Sequence, residues 1–216
     1  AKMLGWETSK IKVIPAEIGG GFGGKTTIYL EPLAVKLSEK ADRPVKMVMS
    51  RDEVFKATGP APGTKIRVKI GAKKSGEITA GKAWLAYEAG PFGGSWAKLG
   101  GWCIFASYNI PNVQIEAYEI IVNRPVNIAY RAPSAPMAAY ATESVLDHIA
   151  KEIDMDPIDL RIFNAVKEGD NQPGDSVAST GKYPKIGFKE TLEAIKNHPN
   201  YKIPLGPNQG RGIATG

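Results

Sequence analysis

The chain has 216 residues, a net charge of +6 and 43% hydrophobic residues, enough to bury a real core and too ordinary in make-up for a disordered or fibrous protein. One cysteine and two histidines exclude a disulfide framework and a cysteine- or histidine-rich metal site. The lysines form neither a basic arm nor an aromatic-interleaved stripe, so no nucleic-acid partner is expected, and no apolar run approaches the ~18 residues of a membrane span.

Residues 1–10 lack a signal-peptide layout and read as an internal stretch of a longer chain. Ile11, Val13 and Ile14 mark a short strand, which leads into the glycine cluster 19–24. A helix is predicted towards Lys40, with Leu30, Leu33, Ala34 and Leu37 on one face; Pro32 either sits in its first turn or kinks it. Asp42-Arg43-Pro44 ends the helix, and residues 45–49 read as a buried strand. Ser50-Arg51-Asp52-Glu53 opens a further helix, its charges suited to capping or to the surface.

The period then changes. Ile66, Val68 and Ile70 alternate with Lys65, Arg67 and Lys69, as in a strand with one wet face, and after a turn at Ser75-Gly76 residues 78–87 return as the second arm of a hairpin. Residues 90–101 read as a loop rich in glycine and aromatics, and residues 113–122 as another alternating strand, expected to pair antiparallel. Such a middle section argues against a wholly parallel, doubly wound sheet. Cys103, between Trp102 and Ile104, reads as a small core residue.

Helices follow. Ser134 is placed to cap one, with Pro136 in its first turn and Val145, Leu146, Ile149 and Ile153 on its apolar face. Asp156-Pro157 starts another, with Leu160, Phe163 and Val166 predicted inward. Residues 169–187 form a long polar linker expected to be poorly ordered or held by a neighbour. Phe188, Leu192 and Ile195 define a last helix, and residues 210–214 read as the opening of a strand. His148 and His198 fall in or beside helices and read as structural or solvated.

The glycine cluster satisfies more than one motif. Gly19, Gly24, Lys25 and Thr26 fit the phosphate-loop spacing, and Gly19, Gly21 and Gly24 fit the dinucleotide spacing. Both rest on the same physics: glycines let backbone N–H groups approach an anion, and a following helix adds a favourable dipole. A loop this rich in glycine meets any glycine pattern by chance. A nucleotide hydrolase also wants an acid at the end of its next strand, whereas Asp52 follows Arg51; a Rossmann reading would need Asp42, in a turn beside Pro44.

The run Gly19-Gly20-Gly21-Phe22-Gly23-Gly24-Lys25 resembles the glycine–phenylalanine loop of the molybdenum hydroxylases, the xanthine dehydrogenase and aldehyde oxidase family. In order along the chain, Arg43-Pro44-Val45 with Ser50-Arg51-Asp52-Glu53, Tyr87 to Gly90, Ala129-Tyr130-Arg131-Ala132-Pro133, Glu143 with Asp147, Phe163-Asn164 with Gly169-Asp170, and Arg211-Gly212-Ile213 also resemble family segments. The resemblance implies an α+β fold like the family's first molybdenum-cofactor-binding subdomain: a strand–glycine loop–helix unit, a mixed or antiparallel sheet and C-terminal helices. It implies a subdomain over 1–168, a linker over 169–187, and a helix with the start of a further subdomain over 188–216.

For the site, the resemblance implies cofactor contacts from Gly21, Phe22, Gly23, Arg131 and Ala132, with Phe22 and Gly23 as backbone donors and no direct metal ligand. The implied cofactor is a molybdenum pterin, as molybdopterin or its cytosine dinucleotide. Implied partners are the remainder of the large subunit, iron–sulfur and FAD subunits or domains, and a small aldehyde or N-heterocycle, in the cytoplasm. Three departures stand out. Met137 occupies a place often held by glutamine, and Ala132 one where the carbon monoxide dehydrogenases carry a copper-ligating cysteine. The family's general-base glutamate motif is absent, so the chain alone is expected to bind little cofactor and to lack turnover. The rival readings are a phosphate-loop nucleotide-binding protein and a non-catalytic assembly module with a degenerate site.

Overall fold

A computed structural model describes residues 1–172 and 181–216. In chain order the elements are α1 (Glu31–Ala41), α2 (Arg51–Ala57), β1 (Thr64–Ala72), β2 (Ile78–Gly90), α3 (Ala97–Cys103), β3 (Val113–Ile121), α4 (Ala135–Glu152), α5 (Pro157–Asn164) and α6 (Phe188–Asn197), with 3-10 turns at Thr8–Lys10 and Pro199–Lys202. The three strands form one mixed sheet in the order β1-β2-β3. The hairpin is as the alternation predicts: β1 and β2 are antiparallel, with Val68 opposite Ala83 and Ile66 opposite Leu85. β3 differs from expectation. It runs parallel to β2, with Leu85 opposite Ala117, because the connection between them crosses back over the sheet through α3 and does not turn as a hairpin.

One face of the sheet is covered and the other is wet. Ala83, Leu85 and Tyr87 are fully buried with Ile104, Phe105 and Ala138, while Ile66, Val68 and Ile70 of β1 and Met137 of α4 pack around them. A second cluster joins Ile78, Tyr108, Leu146, Ala150 and Leu160, and a third joins Ile158, Ala165 and Leu192. Cys103 sits half-buried against the first cluster, and burial pushes its thiol pKa up, which keeps it protonated and inert.

Helix starts follow local chemistry. Pro32 occupies the first turn of α1. Ser50 and Glu53 form a reciprocal capping box on α2, and Asp156 accepts from Ile158 N–H (2.8 Å) ahead of Pro157 on α5. Asn164, buried at the end of α5, ties that helix to the hairpin turn. Its Oδ1 accepts from Ile78 N–H (2.9 Å), and its Nδ2 donates to Gly76 O and Leu160 O (both 2.8 Å). Asn164→Ala strands the Ile78 N–H in the core, and we expect it to cost about 2–3 kcal/mol. Urea denaturation measures this; a loss below about 0.5 kcal/mol would show that water replaces the side chain.

Several elements depart from the sequence reading. Residues 11–14 and 45–49 are extended but pair with no strand, and Val13 and Val48 are 81% and 76% exposed. Pro62 is the first buried residue along the chain. A strand needs a neighbouring edge to satisfy its amides, and none lies beside these segments among the described residues. Residues 90–101 are not wholly loop, since α3 begins at Ala97. Phe163 is 57% exposed and not inward, although Leu160 and Val166 are buried. Ile195 is also largely exposed on α6, where Leu192 supplies the buried contact. Residues 210–214 form no strand, but Ile213 packs on the third cluster.

Of the expected linker, residues 173–180 lie outside the described residues. Its flanks are paired, not pattern-free: Asn171 bridges Lys182, Gly169 N–H donates to Tyr183 O (2.9 Å), and Tyr183 N–H donates to Asp170 O (2.9 Å). The Tyr183 hydroxyl donates to Ala106 O and anchors this stem to the segment after α3.

Candidate cofactor site

The glycine cluster forms a tight loop whose backbone is unusual at several positions. Gly19, Gly20, Phe22 and Gly23 all have positive φ, at 69°, 116°, 48° and 92°. Gly24 N–H donates to Gly21 O (2.9 Å) and closes the turn, and the Thr26 hydroxyl donates to Gly23 O (2.7 Å). Left-handed φ at a bulky residue such as Phe22 costs roughly 1–2 kcal/mol, so surrounding contacts must hold it. The Tyr29 hydroxyl lies 3.0 Å from Gly24 O and 2.9 Å from Thr58 O, tying the loop to the end of α2.

The loop does not run straight into a helix as a phosphate loop would. α1 starts only at Glu31, and the Lys25 ammonium folds back to donate to Ile18 O. The helix dipole and free lysine that the phosphate-loop reading requires are therefore missing from this loop. Asp42 closes α1 in a left-handed turn (φ 49°).

A second segment meets the loop at Gly23. A Cβ on Gly23 would lie 3.0 Å from Ala129 O and 3.2 Å from Tyr130 Cα, so only glycine permits this approach. Residues 125–130 are themselves held closely. Ile128 N–H donates to Pro60 O (3.4 Å), a Cβ on Gly59 would overlap the Ile128 side chain, and one on Gly90 would meet Val126 Cα at 2.8 Å. The sequence thus brings Phe22-Gly23 beside the residues that lead directly into Arg131 and Ala132.

Several donors on the segments that meet here have no protein partner among the described residues. The backbone N–H groups of Gly21, Phe22 and Gly23 have no acceptor among the described residues. Arg131 is exposed, and no carboxylate lies within ion-pair distance of it among the described residues, so the structural salt bridge that would make it a mere brace is not formed. Asn127, 8% exposed and two residues ahead of Ala129, keeps a buried Nδ2 with no partner among the described residues, as does the buried Nε1 of Trp96. A set of spare N–H donors and one free guanidinium is what an anionic, oxygen- and sulfur-rich group would use. No cluster of three or more His, Cys, Asp or Glu suited to a metal occurs among the described residues.

The turn after Arg131 carries features that the sequence reading missed. Ala132 (φ 52°) and Ser134 (φ 71°) are both left-handed, on either side of Pro133. Ser134 precedes α4 but does not cap it; its hydroxyl donates to Trp96 O (2.7 Å) instead. Met137 turns its sulfur to the Tyr130 hydroxyl (2.8 Å) and packs on the first core cluster, so the methionine fills a core position beside the turn.

Residues 1–165 match the molybdopterin cofactor-binding domain. The chain belongs to that family. It is 32% identical over 203 residues to the nicotinate dehydrogenase large molybdopterin subunit of Eubacterium barkeri, covering 91% of this chain and 46% of that protein. It is 28% identical over 216 residues to the aldehyde oxidoreductase of Megalodesulfovibrio gigas, covering 98% of this chain and 23% of the relative. Among solved structures, the aldehyde oxidoreductase from Desulfovibrio gigas superposes with a TM-score of 0.75 at 29% identity, over 85% of this chain and 20% of that one. The chain therefore spans less than half the length of these relatives. No helix among the described residues is long and apolar enough to cross a membrane.

Proposed function

We infer that this domain forms part of the large subunit of an oxidoreductase that hydroxylates an aldehyde or an N-heterocycle, and that residues 21–23, together with Arg131 and Ala132 on the segment that Gly23 meets at residues 129–130, face the cofactor. The observation that carries this reading is the contact at Gly23, which puts three unused backbone donors next to the segment bearing an unpaired arginine. When bound, a molybdenum pterin supplies the two-electron oxidation, with water as the source of oxygen. The chain's residues do the positioning. Phe22 and Gly23 would hold the group by donating N–H bonds to its anionic oxygen or sulfur, since aligned amides stabilise such charge. Gly21 leaves room for that approach, Arg131 orients an anionic oxygen with its planar guanidinium, and Ala132 keeps the adjoining wall small. Electron transfer would pass to iron–sulfur and FAD subunits or domains, in the cytoplasm, and the cofactor is molybdopterin or its cytosine dinucleotide.

Two carboxylates that could serve as an internal base, Glu143 and Glu88, are both ion-paired. Glu143 is buried in an ion pair, and Glu88 lies 3.3 Å from Arg124. We expect turnover to need a carboxylate from elsewhere in the parent protein. The test is elemental analysis of the purified, full-length parent, which we expect to carry molybdenum. Magnesium-dependent ATP or GTP binding without molybdenum, abolished by Lys25→Ala, would overturn the assignment in favour of a nucleotide site.

A further inference from the structure

We propose that Ser134 is the positioning residue for the Arg131-Ala132 turn, acting through its hydrogen bond to the Trp96 carbonyl; this rests on the reading of that turn as cofactor-facing. Ala132 and Ser134 both hold left-handed backbone, a conformation that glycine adopts without strain and other residues resist. Serine at such a place is an unfavourable choice unless its side chain is used. Ser134 is fully buried, and its hydroxyl makes a 2.7 Å bond to the residue that opens α3. A buried hydroxyl without that partner would be costly, so the bond and the backbone conformation select each other.

The anchor at the other end is rigid. Trp96 O also accepts from Gly100 N–H (3.0 Å) within the first turn of α3. Gly100 lies so close to Tyr87 that a Cβ there would sit 2.5 Å from the Tyr87 oxygen. Tyr87 is buried in β2, and its hydroxyl reaches back to Ser134 O at 3.5 Å. Ala135 N–H donates to Ala132 O (3.1 Å) and Ala138 N–H to Ser134 O (3.1 Å), so the turn is stapled to α4 on its far side. Ser134 is thus where the sheet, α3 and α4 converge on the turn. Arg131, three residues earlier, is exposed and without an ion-pair partner of its own among the described residues, and this anchored turn fixes where it begins.

The test separates positioning from general stability. In Ser134→Gly the left-handed backbone becomes free of strain, and Trp96 O keeps its bond from Gly100, so no buried acceptor is orphaned. The variant of the full-length parent should keep its Tm within about 2 °C. Trypsin cleavage after Arg131, followed by mass spectrometry on the folded protein, should rise about fivefold as the freed turn opens. Molybdenum content per mole should fall alongside. Ser134→Ala should show the same two changes together with a lower Tm, since it loses the hydroxyl and keeps the strain. Unchanged cleavage and unchanged molybdenum in Ser134→Gly would overturn the proposal. So would a molybdenum loss that appears only with a collapse of Tm, which would make Ser134 merely structural. A wild-type parent that holds no molybdenum would count against the functional reading alone, because the cleavage comparison still tests the clamp.

Discussion

Arg161→Ala is expected to remove about 3–5 kcal/mol of stability. The guanidinium is fully buried between α4 and α5. Its Nε donates to Glu143 Oε2 (2.8 Å), its Nη2 to Asp147 Oδ1 (2.8 Å), and its Nη1 to Pro157 O (3.0 Å). Glu143 in turn accepts from the Tyr108 hydroxyl and from both Thr215 N–H and Thr215 Oγ1 (each 3.0 Å). Burial first, and the adjacent Glu143 charge second, push the Tyr108 pKa far above the usual tyrosine range, which keeps that hydroxyl a donor. Removing Arg161 leaves Glu143 charged and buried without its counter-ion, which is far costlier than losing a surface pair. The double variant Arg161→Met with Glu143→Gln should recover much of the loss, because it removes both charges while the amide oxygen still accepts from the Tyr108 and Thr215 hydroxyls. Urea denaturation of the single and double variants measures the coupling. A single-variant loss below about 1 kcal/mol would mean that water reaches Glu143, and the network would then not be the lock between the helices and residues 213–216.

How much of this was legible in the sequence depends on whether the signal was local. The hairpin was legible because Ile66, Val68 and Ile70 alternate with Lys65, Arg67 and Lys69, and a one-sided sheet imposes that period directly. α5 was legible because Asp156-Pro157 is both a cap and a start. The direction of β3 was not, because alternation is the same whichever way a strand runs. α3 was hidden by Gly100 and Gly101, poor helix formers kept because Tyr87 and the Ile115–Ala117 stretch press against them. Residues 11–14 and 45–49 carry strand-like patterns, but a pattern supplies only half of a strand pair. At the site, the ordered series of motifs pointed to residues 21–23 and 131–132, and the fold brings Gly23 against Ala129 and Tyr130, the residues just before Arg131. Serine before a helix usually caps it, and only the hydrogen bond to Trp96 O shows the Ser134 hydroxyl aimed elsewhere.

Gly23→Ala should have the largest effect on the site itself. The added Cβ would stand 3.0 Å from Ala129 O and 3.2 Å from both Ala129 C and Tyr130 Cα, all backbone atoms that cannot swing aside as a side-chain tip can. The φ of 92° adds strain that alanine cannot relieve. The two segments must therefore part by a few tenths of an ångström or the loop must change its turn, and either moves the Phe22 and Gly23 amides relative to residues 131–132. Donors that act by preorganisation lose most of their value when displaced, since a misplacement near 1 Å can cost about a hundredfold. We expect the parent carrying Gly23→Ala to hold at least about tenfold less molybdenum than wild type, with stability lower by about 1–3 kcal/mol. Gly24→Ala is the matched control. Gly24 has no left-handed φ, and a Cβ there would meet only Gly21 O at an ordinary 3.5 Å, so its stability should stay within about 1 kcal/mol of wild type. Elemental analysis and thermal melts on the three proteins decide the matter. Equal molybdenum in Gly23→Ala and wild type would show that the cofactor does not depend on the approach of residue 23 to residue 129, and the assignment of Phe22 and Gly23 as its donors would fall.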